Sequence, residues 1–306
     1  MQTPRIIVFG YSEVGYLCLS HLLKCKANVV AAFTHQDNPN ETQWFHSVAA
    51  LAKDNGIPVF YPESLKGPEW TGKIQDLKPD LIFSFYYRKM IPTAILDLAP
   101  LGAFNMHGSY LPKYRGKAPV NWAVLHGATQ MGATLHYMVK QADAGDIVDQ
   151  QAVTIGPEET AFQVMEKVQA AAVQVLERQL ANLLTGKALR HPQDETQATY
   201  FSGRTPEDGR IHWDQSAQQI FNLIRAVTKP YPGAFFDVGE ARMIVWWAKK
   251  MPALSGTKPG QVLSVSPLSI ATGDGVLQIT DYQWISRNSP ACDIQGPDLQ
   301  TGQVLV

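Results

Sequence analysis

The spacing of apolar and polar positions changes twice along this chain, and each change marks a different kind of structure. Over the first 154 residues, short apolar runs alternate with longer amphipathic stretches. The runs are RIIVFG (5–10), NVVAAFTH, IPVFYP, DLIFSFYY and GAFNMH. Near-continuous apolar runs of this length read as strands buried on both faces. Between them the pattern predicts helices over residues 13–24, 45–55, 70–77 and 92–98. The first places Val14, Leu17, Cys18 and Leu22 near one face, Gly56 closes the second, and Pro92 opens the fourth. Two further strands, ATLHYMV and GDIVDQQAVTI, flank the polar turn KQADAGD. A long helix over residues 160–184 ends at Gly186.

Strands alternating with helices imply an α/β domain, a mostly parallel Rossmann-like sheet covered on both sides, here residues 1–189. Residues 190–209 then turn polar and turn-rich, which predicts a linker. Beyond them a helix is expected over 216–228. Short strands follow at even spacing: GAFFDVG, RMIVWWAKK, GQVLSVSP, LSIATGDG and VLQITDYQW. That spacing favours a small OB-like β-barrel as a second domain, residues 210–306.

Charge narrows the partners. The chain has 26 basic and 27 acidic residues and a net charge of -1, so no global field draws it to nucleic acid or an anionic membrane. Cys18, Cys25 and Cys292 contain no CxxC pair, and an odd count argues against a disulfide framework. The amino terminus has too short an apolar run for a signal peptide, and no stretch reaches the roughly 20 apolar residues of a membrane span. A cytoplasmic protein without membrane insertion is expected.

Candidate chemistry concentrates in FNMHGSYLPKYRG (104–116). FGYSEVG, after the first strand, does not match the dinucleotide fingerprint, and the eight histidines show no metal-binding spacing, so no metal is expected. Asn105 and His107 are two apart, so on an extended backbone they point to one side. Gly108 lets a ligand or another backbone come close, and Lys113, Arg115 and Lys117 share the next loop. A neutral amide donor beside an imidazole suits a reaction in which an oxyanion forms while a proton moves. The other reading is that both residues only cap the strand end. The turn KQADAGD adds Asp143 and Asp146. Consecutive strands of a parallel sheet deliver their loops to one crevice. There Asp143 either bonds to His107 and favours its protonated form, or merely shapes the turn.

These segments resemble the formyltransferases that use 10-formyltetrahydrofolate. The family pattern of Asn-x-His, Ser-x-Leu-Pro-x-x-Arg-Gly and Asp-x-Gly is met by Asn105, His107, Ser109, Leu111, Pro112, Arg115, Gly116, Asp143 and Gly145. Within the family the likeness is greatest to the formyltransferase portion of the ArnA type, through FTHQDNP, IFSFYYRKMI, MVKQADAGDIV and RTPEDGRIHW. The resemblance covers nearly the whole chain. It implies formylation of UDP-4-amino-4-deoxy-L-arabinose in lipid A modification and polymyxin resistance. It also implies His107 as general acid/base, Asn105 as transition-state stabiliser and Asp143 as the partner of His107. The folate co-substrate would lie along Lys89, Met90, Ile91, Lys117, Val139, Lys140, Gln141, Ala142 and Asp143. Lys89 and Lys117 depart from the His and Arg of the ArnA pattern, and Tyr110 from the usual Leu. Ser109 is expected to be structural. Members of this type carry a dehydrogenase after this portion; this chain, which stops at Val306, is expected to be either the formyl-transferring half of such a protein or a free-standing relative with a separate dehydrogenase partner.

Three alternatives stand beside this reading. One is formylation of another nucleotide-linked amino sugar. A second is methionyl-tRNA formylation, against which count the lack of Lys or Arg over residues 34–52 and the eight basic and nine acidic residues from Thr205 onward. The third is a folate-binding scaffold without activity. Trp213, Trp246 and Trp247 either stack a uracil or pack the barrel.

Overall fold

The structure, a computed structural model, describes residues 3–36 and 44–305. The first strands follow directly from the apolar runs. Elements in chain order are β1 (Ile6–Gly10), α1 (Ser12–Lys24), β2 (Val29–Phe33), α2 (Val48–Asp54), β3 (Val59–Phe60), α3 (Pro68–Asp76), β4 (Leu81–Phe85), α4 (Thr93–Leu96) and β5 (Gly102–His107). Every residue of β1 and β4 is buried, which requires cover on both faces of the sheet. On one face Ile7, Phe9, Phe33 and Ile82 pack with Ile74 of α3 and Ile95 of α4. Phe9 and Phe33 stack there with ring centroids 4.7 Å apart.

Helix starts differ from the periodic reading where capping chemistry intervenes. Phe45 lies outside α2, because Ser47 caps the helix by accepting the Ala50 N–H. Its ring instead meets Tyr11 edge-on at 5.2 Å. The helix expected over 70–77 begins two residues earlier, with Pro68 in its first turn.

The chain continues through β6 (Arg115–Gly116), α5 (Pro119–Leu125), β7 (Gln130–Tyr137), β8 (Ile147–Thr154), α6 (Ala161–Leu184) and β9 (Tyr200–Phe201). The main sheet has the order β3-β2-β1-β4-β5-β7-β8. β1 to β5 run parallel, while β7 is antiparallel to both β5 and β8. Residues 190–201, read from the sequence as linker, are bonded into the fold. His191 bridges Ile147, and β9 pairs in parallel with β6.

Compact units do not follow the expected boundaries of 1–189 and 210–306. The first unit is Met1–Pro119, Gln130–Thr154 and Glu166–Phe201; the second is Val120–Thr129, Ile155–Met165 and Ser202–Val306. The second unit contains α7 (Ala217–Val227), β10 (Ala234–Val238), β11 (Ala241–Met251), β12 (Val262–Val265), β13 (Leu268–Ala271), β14 (Val276–Ser286) and β15 (Ser289–Asp293). Its antiparallel sheet has the order β10-β11-β14-β13-β12, with β15 beside β14. A capping box between Ser216 and Gln219 starts α7. The buried Arg225 of α7 explains why short pieces from earlier in the chain fold here. Its guanidinium donates to the carbonyls of Glu159 (3.0 Å) and Val124 (3.2 Å). Among the described residues no helix is long and apolar enough to cross a membrane.

Candidate active site

The open question from the sequence is whether Asn105, His107 and Asp143 meet. Asn105 and His107 lie two apart on β5, and β7 sets His136 opposite Asn105 and Thr134 opposite His107. These four side chains therefore share one face of the sheet. Phe104 and Met106 point to the other face and are fully packed.

Asp143 arrives by a different route from the one expected. Because β7 runs against β5, the KQADAGD turn leaves beside the start of β5. It then doubles back over the sheet face. Gly145 makes the fold-back possible, since a Cβ there would sit 1.9 Å from the Tyr137 carbonyl oxygen. Asp143 itself takes φ 55°, in the left-handed region.

The result is a compact cluster. Asp143 Oδ1 is 3.5 Å from His107 Nδ1, 3.5 Å from His136 Nε2 and 3.4 Å from Asn105 Nδ2. Its Oδ2 accepts the Gly116 N–H at 2.9 Å. Burial by itself would push the Asp143 carboxyl up. The charge of His107, the neighbouring His136 and the Gly116 N–H outweigh it and hold the carboxyl well below the usual carboxylate range. Asp143 is thus an anion facing two imidazoles.

Partner chemistry fixes the ring orientations. His107 Nε2 is 2.8 Å from the Tyr114 carbonyl oxygen, which can only accept, so Nε2 carries a proton and Nδ1 faces Asp143. His136 Nδ1 likewise donates to the Tyr137 carbonyl at 2.8 Å. Its Nε2 is 3.1 Å from Asn105 Nδ2 and accepts one amide proton. The second amide proton points toward Asp143 at the long limit of a hydrogen bond. A proton-exchanging imidazole, an amide donor and a carboxylate anion therefore converge on one spot, which suits acyl transfer through an oxyanion.

The sequence reading missed His136. A signal existed: Thr134 and His136 alternate with Ala133 and Leu135 in an otherwise apolar strand. Only the strand register shows that His136 faces Asn105. Tyr86 was also missed. Its hydroxyl lies where a side chain at 108 would go, 1.7 Å from the Cβ that Gly108 lacks. The space at Gly108, expected to admit a ligand or another backbone, is taken by this side chain.

The residues proposed along the folate are not all presented alike. Met90 is 60% exposed and Val139 43%. Lys117, Lys140, Gln141 and Ala142 are exposed too, on the loops that flank Asp143. Ile91 is buried in the core, so its side chain packs with Ile95 and Phe9. The Lys89 ammonium donates to the carbonyls of Pro62 (3.0 Å) and Glu63. Ser109 is fully buried and donates to the Lys113 carbonyl at 2.6 Å, so it shapes the loop. The tryptophans pack within the second unit: Trp213 against Phe236, Trp247 against Phe221, and Trp246 beside Phe235 and Ile244. Part of the 34–52 segment, residues 37–43, lies outside the described residues.

Comparison with known proteins adds an independent line. A family model described as formyl transferase matches residues 5–180, and one described as formyl transferase, C-terminal domain, matches residues 204–292. Among solved structures, an N-formyltransferase from Helicobacter canadensis in complex with folinic acid and dTDP-3-aminofucose superposes with TM-score 0.71. It has 19% identity over 91% of this chain and 99% of its own. WlaRD, a sugar 3N-formyl transferase in the presence of dTDP and 5-N-formyl-THF, gives TM-score 0.69, 17% identity and coverage of 91% and 98%. Methionyl-tRNA formyltransferase from Clostridium thermocellum gives TM-score 0.58, 17% identity and coverage of 93% and 100%. At these identities the likeness is one of fold.

Proposed function

The chain belongs to the formyl transferase family, and from that premise we propose that it moves the formyl group of 10-formyltetrahydrofolate to the amine of UDP-4-amino-4-deoxy-L-arabinose. The observation that carries the reaction is the convergence of Asn105, His107 and Asp143 on one face of the sheet. In this reading the uncharged amine attacks the formyl carbon. Negative charge then develops on the formyl oxygen. The Asn105 amide proton that is not held by His136 turns to meet it, and protonated His107 reinforces it through Nδ1. The folate nitrogen leaves with a proton from His107. The attacking amine loses its proton to Asp143 or to a water beside it. At 3.5 Å, Nδ1 and Oδ1 are beyond a good hydrogen bond, so the imidazole is not locked to the carboxylate and can turn its proton to a reactant beside it. No covalent enzyme intermediate is needed. Exposed Met90 and Val139 offer apolar surface for the flat rings of the folate.

The arabinose nucleotide rests on the ArnA-type segments of the sequence, and with it goes a role in lipid A modification. A second reading is favoured by the two sugar formyltransferase neighbours, whose structures contain dTDP or a dTDP-linked amino sugar. In that reading the acceptor is such a dTDP sugar. A tRNA acceptor is disfavoured by the balance of eight basic and nine acidic residues from Thr205 onward, since phosphate contacts dominate nucleic-acid affinity.

A side-by-side assay decides. The protein is incubated with 10-formyltetrahydrofolate and UDP-4-amino-4-deoxy-L-arabinose, dTDP-linked amino sugars or methionyl-tRNA, and formylated product is measured. Turnover of a dTDP sugar or tRNA but not of the arabinose nucleotide would refute the substrate. Absence of folate-dependent turnover with any amine would refute the reaction.

A further inference from the structure

Asp143 has little of its own to hold it. Residues 139–142, just before it, are exposed, and Asp143 sits in the left-handed region. Yet its carboxylate is held within 3.5 Å of two imidazoles. What fixes the turn comes from residues 193–200, in the segment whose polarity resembled a linker.

Gln193 Nε2 donates to the carbonyl of Asp143 at 2.8 Å and to that of Gly145 at 2.7 Å. Its other end, Oε1, accepts from Arg115 Nε at 3.2 Å and from Arg115 Nη2 at 2.7 Å. Carbonyls only accept and a guanidinium only donates, so the carboxamide has one possible orientation. Arg115 is itself fully buried and engages Glu195 through two bonds, of 2.9 and 2.7 Å. It also donates to the Tyr200 hydroxyl. That hydroxyl accepts from Gln141 Nε2 at 2.7 Å, so the outer part of the same turn is tied down as well. The neighbouring Gly116 N–H bonds the carboxylate directly. One buried guanidinium thus organises both the backbone under Asp143 and the strand that contacts its carboxylate.

We infer that Gln193, set by Arg115, is a positioning residue for formyl transfer: it holds the 143–145 backbone so that the Asp143 carboxylate stays on His107 and Asn105. This rests on the proposed role of Asp143. Displacing a reacting group by about 1 Å can lower turnover by about a hundredfold, and the two Gln193 bonds oppose such a displacement.

The informative variant is Gln193→Glu. It still accepts from Arg115 but cannot donate to either carbonyl. It is made alone and with Asp143→Asn in the full-length protein, and assayed with 10-formyltetrahydrofolate and UDP-4-amino-4-deoxy-L-arabinose. The protein is expected to stay folded with a lower thermal midpoint, because two carbonyls lose their donor, while kcat falls on the order of 10- to 100-fold. The acid limb of the pH–kcat profile moves, because the carboxylate no longer meets its imidazoles in the same geometry. Little further loss is expected in the Asp143→Asn background. Wild-type kcat, an unshifted pH profile or an equal loss in both backgrounds overturns the inference. Wild-type turnover by Asp143→Asn alone instead overturns the proposed role of Asp143. Where this amine is not turned over at all, the substrate reading has failed, and amide hydrogen exchange across residues 138–146 judges the inference. Faster exchange in Gln193→Glu supports it, and unchanged exchange overturns it.

Discussion

Asn105→Ala removes a single carboxamide from the face of β5, and its consequences in the ground state and the transition state separate. In the ground state the Nδ2 group satisfies His136 Nε2 at 3.1 Å and lies 3.4 Å from the Asp143 carboxylate. Removing it leaves the buried His136 nitrogen without its donor, which costs about 1–3 kcal/mol of stability if water does not replace it. The protein stays folded with a lower thermal midpoint. In the transition state the amide proton faces charge that does not exist in the bound substrates. Loss of one such donor raises the barrier by about 3–4 kcal/mol, or about 10²- to 10³-fold in kcat. The KM for 10-formyltetrahydrofolate should hardly move, because the interaction strengthens only as the oxyanion forms. Asn105→Asp sharpens the test. It removes the donor and sets a second carboxylate beside Asp143, so it should be at least as slow as the alanine variant. Steady-state kinetics, with circular dichroism as the control for folding, check both. A fall in kcat smaller than about tenfold, or an effect confined to KM, refutes Asn105 as the oxyanion donor.

Two further outcomes follow from the electrostatics. The Asp143 carboxyl is held below its usual 3.8 in the folded state, so its ionisation stabilises the fold fully above that value and the benefit is lost as pH falls through the lower folded value. The stability gap between wild type and Asp143→Asn, from denaturant melts, should be constant near neutrality and shrink below pH 4; a gap that widens in acid is the contrary result. His35, a base, also makes the fold less stable in acid, but over a higher pH range. Burial, with the charges of Lys89 and Arg88, lowers its pKa from 6.5 to about 4, so the unfolded chain binds the proton more readily between those values. Stability should decline as pH drops from 6.5 to 4, and His35→Gln should flatten that slope. An unchanged slope in the variant would place the titrating group elsewhere.

Much of the main sheet was legible because strands covered on both faces are buried at every position and so read as near-continuous apolar runs, as β1 and, apart from Ser84, β4 do. Strand direction leaves no such trace. ATLHYMV reads the same whether it runs with β5 or against it, and only the antiparallel pairing sets His136 opposite Asn105. Residues 190–201 misled for a related reason. Gln193, Glu195 and Thr199 are polar because Arg115 and the Tyr114 N–H need partners. From composition alone, a segment bonded to a buried arginine looks like one bonded to water. Asn105 and His107 were legible because a spacing of two fixes a common face in any strand, whatever its neighbours.

Strand direction also explains why this site needs so much backbone support. Had β7 run parallel to β5, the loop bearing Asp143 would leave the sheet at the same end as His107 and reach it without reversing. Running antiparallel, it starts at the far end of β5 and must return across the face. That return requires Gly145, which passes too close to the Tyr137 carbonyl for any side chain, and a left-handed Asp143. A reversed, largely exposed turn is a poor mount for a carboxylate placed between two imidazoles. The motif arginine and the glutamine 78 residues beyond it compensate, by bonding the turn's carbonyls from beneath. Arg115 thus shares a sequence motif with the catalytic candidates without touching the spot where they converge: it acts on Asp143 through Gln193.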